Sequence, residues 1–303
     1  MKKILILGGN GFIGKNLCAT LAKTDNKVYS FDLALPKEKI DGVEYIEGDF
    51  FDDFTLASLL KDKDVVYHAI CTMNPGNSND KYIVGYERDL IQTIKLCDII
   101  KKTNTKMIFL SSGGTVYGIQ KDLPISESAT PQPINHYGNL KLCIENTIRV
   151  FKHQEKSDFV IARVANPYGP GQDYRKGVGF IDAVIKHSIN GTPVEIWGDG
   201  NVIRDYIYID DVCFYLAKLA DCNADVDVIN ISSGKGTSQK EIVEAVKALV
   251  PELKVVYKDK RSVDADKIVL DNGLMQSIYK KELKSIDVGI QKYFDYVRSN
   301  KWD

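Results

Sequence analysis

Lys3-Ile4-Leu5-Ile6-Leu7, followed by Gly8-Gly9-Asn10-Gly11-Phe12-Ile13-Gly14, reads as a buried strand, a glycine turn and the start of a helix, with Leu17, Leu21 and Ala22 continuing at helical spacing. Gly8 permits a tight turn, Gly11 lets the backbone approach a pyrophosphate, and Gly14 lets helix pack closely on strand. The N–H groups from Phe12 and Ile13 onward then sit at a helix N-terminus, where phosphate binds. The glycines fall as G-x-x-G-x-x-G, one residue wider at the first gap than the general dinucleotide pattern. A glycine turn alone is equally well a plain structural turn. The next strand, Lys27 to Phe31, ends in Asp32, eighteen residues after Gly14, where a carboxylate can accept hydrogen bonds from adenosine ribose hydroxyls. Turn and acid together point to a bound dinucleotide. A carboxylate repels the 2'-phosphate of NADP, so NAD is favoured; Lys37 in the following loop keeps NADP open.

Working outward, a strand from Val43 to Glu47 leads into Gly48-Asp49-Phe50, where Asp49 either meets the adenine amino group, with Phe50 beside it, or caps the helix Phe54 to Leu60. A strand from Val65 to Ile70 brings Ala69 to the pyrophosphate, because ligands sit at the carboxyl ends of parallel strands. Thr72 to Ser78 is then a polar loop at the mouth of the site, and one long helix is predicted from about Asp80 to Lys102. Met107 to Leu110 carries into Ser111-Ser112-Gly113-Gly114-Thr115-Val116-Tyr117-Gly118, and Phe159 to Val164 forms the sixth strand. This alternation predicts an α/β fold, a doubly wound parallel sheet of Rossmann type over residues 1–165. The turn-dense Asn166 to Gln172 marks a crossing into a smaller α/β substrate domain, residues 166–204 and 233–303, with 205–232 returning to the first domain.

Tyr137-Gly138-Asn139-Leu140-Lys141 places a phenol and an ammonium one helical turn apart on one face. Tyr titrates near pH 10, so a phenolate at pH 7 requires roughly three units of help, about 4 kcal/mol. Lys141 could supply part of it as nearby positive charge. Ile144, Ile148 and Phe151 continue the buried side of that helix. By itself the spacing also fits an exposed Tyr and a solvated Lys.

The composition, 44% apolar and 27% charged over 303 residues, is that of a folded soluble protein. A net charge of -1 without a basic stripe argues against nucleic acid. No run approaches a membrane span, and the apolar run after Met1 stops at Gly8, too short for an export signal. Six scattered cysteines without a C-x-x-C pair read as reduced core residues in a cytoplasmic protein, and the four histidines show no metal-ligand spacing.

These blocks, with RVANPYGPGQ (163–172), IWGDG (196–200), RDYIYIDD (204–211) and NISSGKGTS (230–238), resemble the NAD-dependent nucleotide-sugar epimerase/dehydratase group of the extended short-chain dehydrogenase/reductases, typified by the UDP-glucose 4-epimerases. The resemblance implies that Tyr137, as phenolate, takes the proton of the sugar 4-hydroxyl while the C4 hydride passes to NAD, leaving a 4-keto sugar. It implies that Lys141 bonds the nicotinamide ribose and, with the cationic ring, lowers the Tyr137 pKa. It assigns Arg204 and Arg261 to the diphosphate, Asn166 to the diphosphate or sugar, Trp197 and Tyr206 to the nucleotide region, Thr72 to the sugar and Asp264 to substrate binding. One departure stands out: the usual hydroxyl partner of the Tyr falls on Gly113, so Ser112 or, preferably, Thr115 takes that role. Gly113, Gly114 and Thr115 also lack the acids that a 4,6-dehydratase or a uronate decarboxylase carries near this position. Inversion at C4 of a nucleotide sugar, with UDP favoured, is the expectation; another NAD-dependent reductase or decarboxylase of the family, or a non-catalytic NAD sensor, is the alternative. The helices from Asp80 and Tyr137 resemble those of a family homodimer interface. Which sugar is used stays open.

Overall fold

The structure, a computed structural model, describes residues 1–222, 226–259 and 265–300. The chain begins β1 (Lys3–Leu7), α1 (Phe12–Leu21), β2 (Lys27–Asp32), β3 (Val43–Glu47), α2 (Asp53–Leu60) and β4 (Val65–His68). It continues α3 (Ser78–Val84), a π-helical turn (Gly85–Leu90), α4 (Ile91–Ile100), β5 (Lys106–Ser112), α5 (His136–Glu155) and β6 (Phe159–Val164). After these come β7 (Asn166–Tyr168), a 3-10 turn (Tyr174–Lys176), α6 (Phe180–Ile189), β8 (Val194–Trp197), β9 (Ile203–Tyr208) and α7 (Ile209–Leu219). The last elements are β10 (Val228–Ile231), β11 (Gly236–Ser238), α8 (Gln239–Lys247), β12 (Val255–Lys258), β13 (Lys267–Ile268), α9 (Gly273–Ile278) and α10 (Ile286–Ser299).

Seven strands form one parallel sheet in the order β10-β6-β5-β4-β1-β2-β3. Its central strands β1, β4, β5 and β6 are buried on both faces because each face carries helices. Ile4 and Ile6 of β1 pack with Leu17 and Leu21 of α1, whereas Leu5 and Leu7 face the other way, into a core shared with Leu56 and Leu60 of α2 and Leu96 of α4. The chain leaves β1 toward β2 and β3, then returns on the other side through β4, so strand order reverses between β1 and β4. That switch point opens the crevice in which such sheets bind ligands. As predicted, the parallel sheet is of Rossmann type, and β10 extends its far edge.

A second module grows from the sheet's carboxyl side. There β9 pairs with β11, β13 and β7, and β8 pairs with β12. α6, α8 and α10 pack together behind it.

Three predicted features differ. The single helix over 80–102 is α3, a π-helical turn and α4, ending at Ile100. Its passage is close: a Cβ on Gly85 would lie 2.9 Å from Met73 Sδ and 3.1 Å from Leu140 Cδ2. The segment read as a pure turn includes β7, because Asn166 to Tyr168 find backbone partners on β9. The cap of α2 is Asp52, whose carboxylate accepts from Phe54 N at 3.3 Å and Thr55 N at 3.2 Å, and not Asp49.

Candidate active site

The glycine turn is built for close approach. Gly8 has φ +87°, a conformation that favours glycine, and a Cβ on Gly14 would lie 2.1 Å from the Gly8 carbonyl oxygen. Asp32, at the end of β2, uses one carboxylate oxygen to accept from Asn10 N at 2.9 Å and the other from Leu33 N at 2.8 Å. The acid thus holds the turn as well as standing where a ribose would lie. Gly11 gives α1 no side-chain cap and the first turn holds no acid, so Phe12 and Ile13, which line the cleft that Tyr137 also lines, bring helix-terminal N–H groups to it. These residues fit a pyrophosphate. Ala69 follows β4 and donates its N–H to Leu7 O at 2.9 Å, beside Gly8. Asp49 is exposed and accepts from Phe51 N at 2.9 Å, while Phe50 is buried against His68.

The cleft, about 310 Å³, is lined at one wall by Ser111, Ser112, Gly114, Thr115 and Tyr137. The turn after β5 and the start of α5 meet there because Gly138 has no side chain: a Cβ would lie 2.6 Å from the Thr115 carbonyl oxygen. Asn135 caps α5 by accepting from Gly138 N at 2.8 Å. Thr115 Oγ1 is buried and unpaired within the protein, which suits a hydroxyl waiting for a partner. Lys141 is buried under Tyr137. Its Nζ donates to Leu110 O at 3.0 Å, 4.7 Å from the Phe109 ring centre and 5.7 Å from the Tyr137 ring centre.

Burial holds the Tyr137 phenol well above its ordinary pKa, and the neighbouring Cys71 and Asp89 push the same way. The Lys141 ammonium, which lies 5.7 Å from the ring centre, is hydrogen-bonded to the Leu110 carbonyl below it. His68, behind the site, is pushed down to about 3 by burial and by Lys141, and its Nε2 meets Thr93 Oγ1 at 2.9 Å. It is a neutral imidazole.

Asn166 and Tyr206, facing pairs on β7 and β9, also line the cleft, Asn166 beside Gly114, and Asn166 Nδ2 donates to Asp205 O at 2.9 Å. Burial pushes the Tyr206 phenol up. Thr72 is turned elsewhere: its N–H and hydroxyl both donate to Asp89 Oδ2, at 2.8 and 2.9 Å. Trp197 borders a separate cleft with Asp199, Asn201 and Asp266. Arg204 is half-buried and donates from Nη1 to Ile203 O at 2.9 Å. Arg261 and Asp264 lie outside the described residues. Among the described residues no group of His, Cys, Asp or Glu could hold a metal ion, and no helix is long and apolar enough to cross a membrane.

Several site residues escaped the sequence reading. Asp89, on the π-helical turn, is buried with one carboxylate oxygen unpaired; nothing in a helical periodicity marks it. Gln172, Val178 and Phe180 line the cleft mouth, which is anchored from below: Asp182, fully buried, accepts from Tyr174 N at 2.7 Å and from Tyr293 Oη at 2.6 Å. Behind β5 and β6, Arg163 grips Glu145 with two bonds of 3.0 and 2.6 Å, and Ser111 Oγ donates to the same carboxylate at 2.6 Å. Arg163 stood in a quoted block, but its inward direction was not readable.

The profile of the NAD dependent epimerase/dehydratase family matches residues 4–232. A Methanocaldococcus jannaschii protein provisionally named UDP-glucose 4-epimerase is 29% identical, over 98% of this chain and 99% of that protein. The Escherichia coli dTDP-4-dehydro-6-deoxyglucose reductase is 27% identical, over 97% of each. The crystal structure of the Thermotoga maritima UDP-glucose 4-epimerase with UDP-glucose superposes with a TM-score of 0.90 at 28% identity, covering 98% of this chain and 99% of that one.

Proposed function

From the premise that the chain belongs to the NAD dependent epimerase/dehydratase family, with NAD as cofactor, we propose that it inverts C4 of a UDP-sugar through a transient 4-keto sugar. The observation that carries this reading is the lining of the cleft: Tyr137, Ser112 and Thr115 share one space with Asn166 and Tyr206, with Lys141 beneath the phenol. NAD, when bound, supplies a reversible hydride acceptor. The chain does the rest. Phe12 and Ile13 N–H groups and Asp32 hold the dinucleotide by its pyrophosphate and adenosine ribose. Lys141 spends one of its three donors on Leu110 and can offer another to a ribose hydroxyl next to Tyr137. Tyr137 takes the 4-hydroxyl proton and later returns it, with Thr115 as the preferred hydroxyl partner and Ser112 as the other candidate. Arg204, with Arg261 of the family pattern, serves the diphosphate, because guanidinium forks suit phosphate oxygens; Asn166 and Tyr206 face the sugar and nucleotide side.

The kinship with a 4-keto sugar reductase supports a second reading, net reduction of a keto sugar. The two separate in one assay. NAD-loaded protein is given a panel of UDP-, GDP- and dTDP-sugars, in a parallel arm NADH-loaded protein with excess NADH is given the corresponding 4-keto sugars, and products and cofactor are followed together. C4 inversion of a UDP-sugar without net change in NADH supports the epimerase. Consumption of one NADH per 4-keto sugar supports the reductase. Binding of NAD with no chemistry on any sugar supports a non-catalytic role.

A further inference from the structure

Gly113 is where the family pattern leads one to expect a hydroxyl. The reason none stands there is spatial. Gly113 is not among the glycines of positive φ, so its backbone would accept any residue, yet an ideal Cβ would lie 2.3 Å from Leu270 Cδ1 and 3.2 Å from the Arg163 carbonyl oxygen. Leu270 is itself fully buried, so that methyl cannot swing into solvent. Its backbone is pinned on both sides: Ile125 N donates to Val269 O at 2.8 Å and Asp271 N donates to Ile125 O at 2.8 Å.

A third tie comes from β9. Leu270 N donates to Asp205 Oδ2 at 3.3 Å, and the same carboxylate accepts from Gly234 N at 3.1 Å, Ser233 N at 2.9 Å and Ser233 Oγ at 2.6 Å. Asp205 is fully buried between Arg204 and Tyr206, the latter lining the cleft. Leu270 therefore links two bodies: its methyl faces the turn that carries Ser112 and Thr115, and its backbone N–H donates to the Asp205 carboxylate of the strand that carries Tyr206.

We propose that Leu270 is a positioning residue: seated in the hollow left by Gly113, it fixes the Ser112–Thr115 turn beside Tyr137 and ties that turn to the Asp205-anchored β9. This rests on the reading of Tyr137 and its hydroxyl partner as the acid/base of C4 inversion. It also explains why the hydroxyl must come from 112 or 115: a side chain at 113 would displace the methyl that sets the turn.

The test uses four NAD-loaded enzymes, wild type, Gly113→Ala, Leu270→Ala and the double variant, with kcat, KM and thermal midpoint measured on whichever UDP-sugar the wild type inverts. Gly113→Ala should lower the midpoint and cost roughly 10- to 100-fold in kcat with KM little changed, the scale expected when catalytic groups are misplaced by about 1 Å. Leu270→Ala should also lower kcat more than it raises KM. The double variant should lose no more kcat than the worse single one, because the alanine methyl then takes the emptied space. Should Leu270→Ala fail to fold, Leu270→Val, which withdraws the methyl while keeping a branched side chain, takes its place in the same cycle. Single losses that multiply in the double variant, or an unchanged kcat in Gly113→Ala, overturn the proposal. A wild type that inverts no nucleotide sugar is a different result and overturns the proposed function itself.

Discussion

Tyr137 is a phenol held in its protonated form by its surroundings. Burial disfavours the phenolate and the Asp89 carboxylate adds to that, while the Lys141 ammonium, bonded to a backbone carbonyl, lies 5.7 Å from the ring centre. In the proposed reaction, positive charge on the cofactor side of the cleft would add to that of Lys141 in favouring the phenolate. Tyr137→Phe should abolish turnover while NAD stays bound, read by activity and by bound cofactor after gel filtration. Thr115→Val should cost about 10²-fold or more in kcat, within the range of acid/base assistance, against a small effect of Ser112→Ala; the reverse ranking would give the role to Ser112. Asp89→Asn removes a charge that raises the Tyr137 pKa. The base must be deprotonated to act, so the rising limb of kcat against pH should move to lower pH, by up to about one unit. A limb that stays in place or moves up would remove Asp89 from the electrostatics of the phenol. Tyr137, Lys141 and Asp32 were legible because helix and strand-end spacing carries them. Asp89 was not, since it owes its inward placement to a π-helical turn that no periodicity announces.

At the scale of elements, β5, β6 and α5 are locked together behind the cleft by one buried carboxylate. Glu145 takes both fork bonds from Arg163, a bond from Ser111 Oγ and one from Arg149 at 3.1 Å. Arg163 also lies 4.6 Å from the Tyr117 ring centre, and Tyr117 donates to Asn230 Oδ1 at 2.7 Å, which brings in β10. Removing one partner of a buried pair strands the other's charge, so Glu145→Ala should cost about 3–5 kcal/mol of unfolding free energy, measured by denaturant titration. The strands of the first half were readable because the central parallel strands, buried on both faces, are nearly continuous apolar runs; the helix over 80–102 was not, because its π-helical break leaves no mark in the periodicity. The second module was harder. β11 and β13 are too short to carry an alternation, and they exist only because β9 offers them an edge.

On the whole molecule, α3, α4 and α5 leave apolar side chains in solvent, among them Ile83 at 55%, Ile91 at 48% and Val150 at 51% exposure. We propose that these helices form the homodimer contact that the sequence suggested. Sedimentation should then give twice the 33.9 kDa chain mass, and Ile83→Asp with Ile91→Asp should shift the protein toward monomer. An unchanged dimer would place the contact elsewhere.

The central claim is that hydride leaves C4 of a UDP-sugar and returns to the same carbon, within one cleft, under the acid/base control of Tyr137. The direct measurement is C4 inversion of a UDP-hexose deuterated at C4, followed by NMR with NAD-loaded protein in ordinary water. The expected result is an inverted product that retains the deuterium at C4, with no NADH accumulating and no turnover in Tyr137→Phe. Loss of the label to solvent, its appearance in free NADH, or inversion surviving Tyr137→Phe would contradict it.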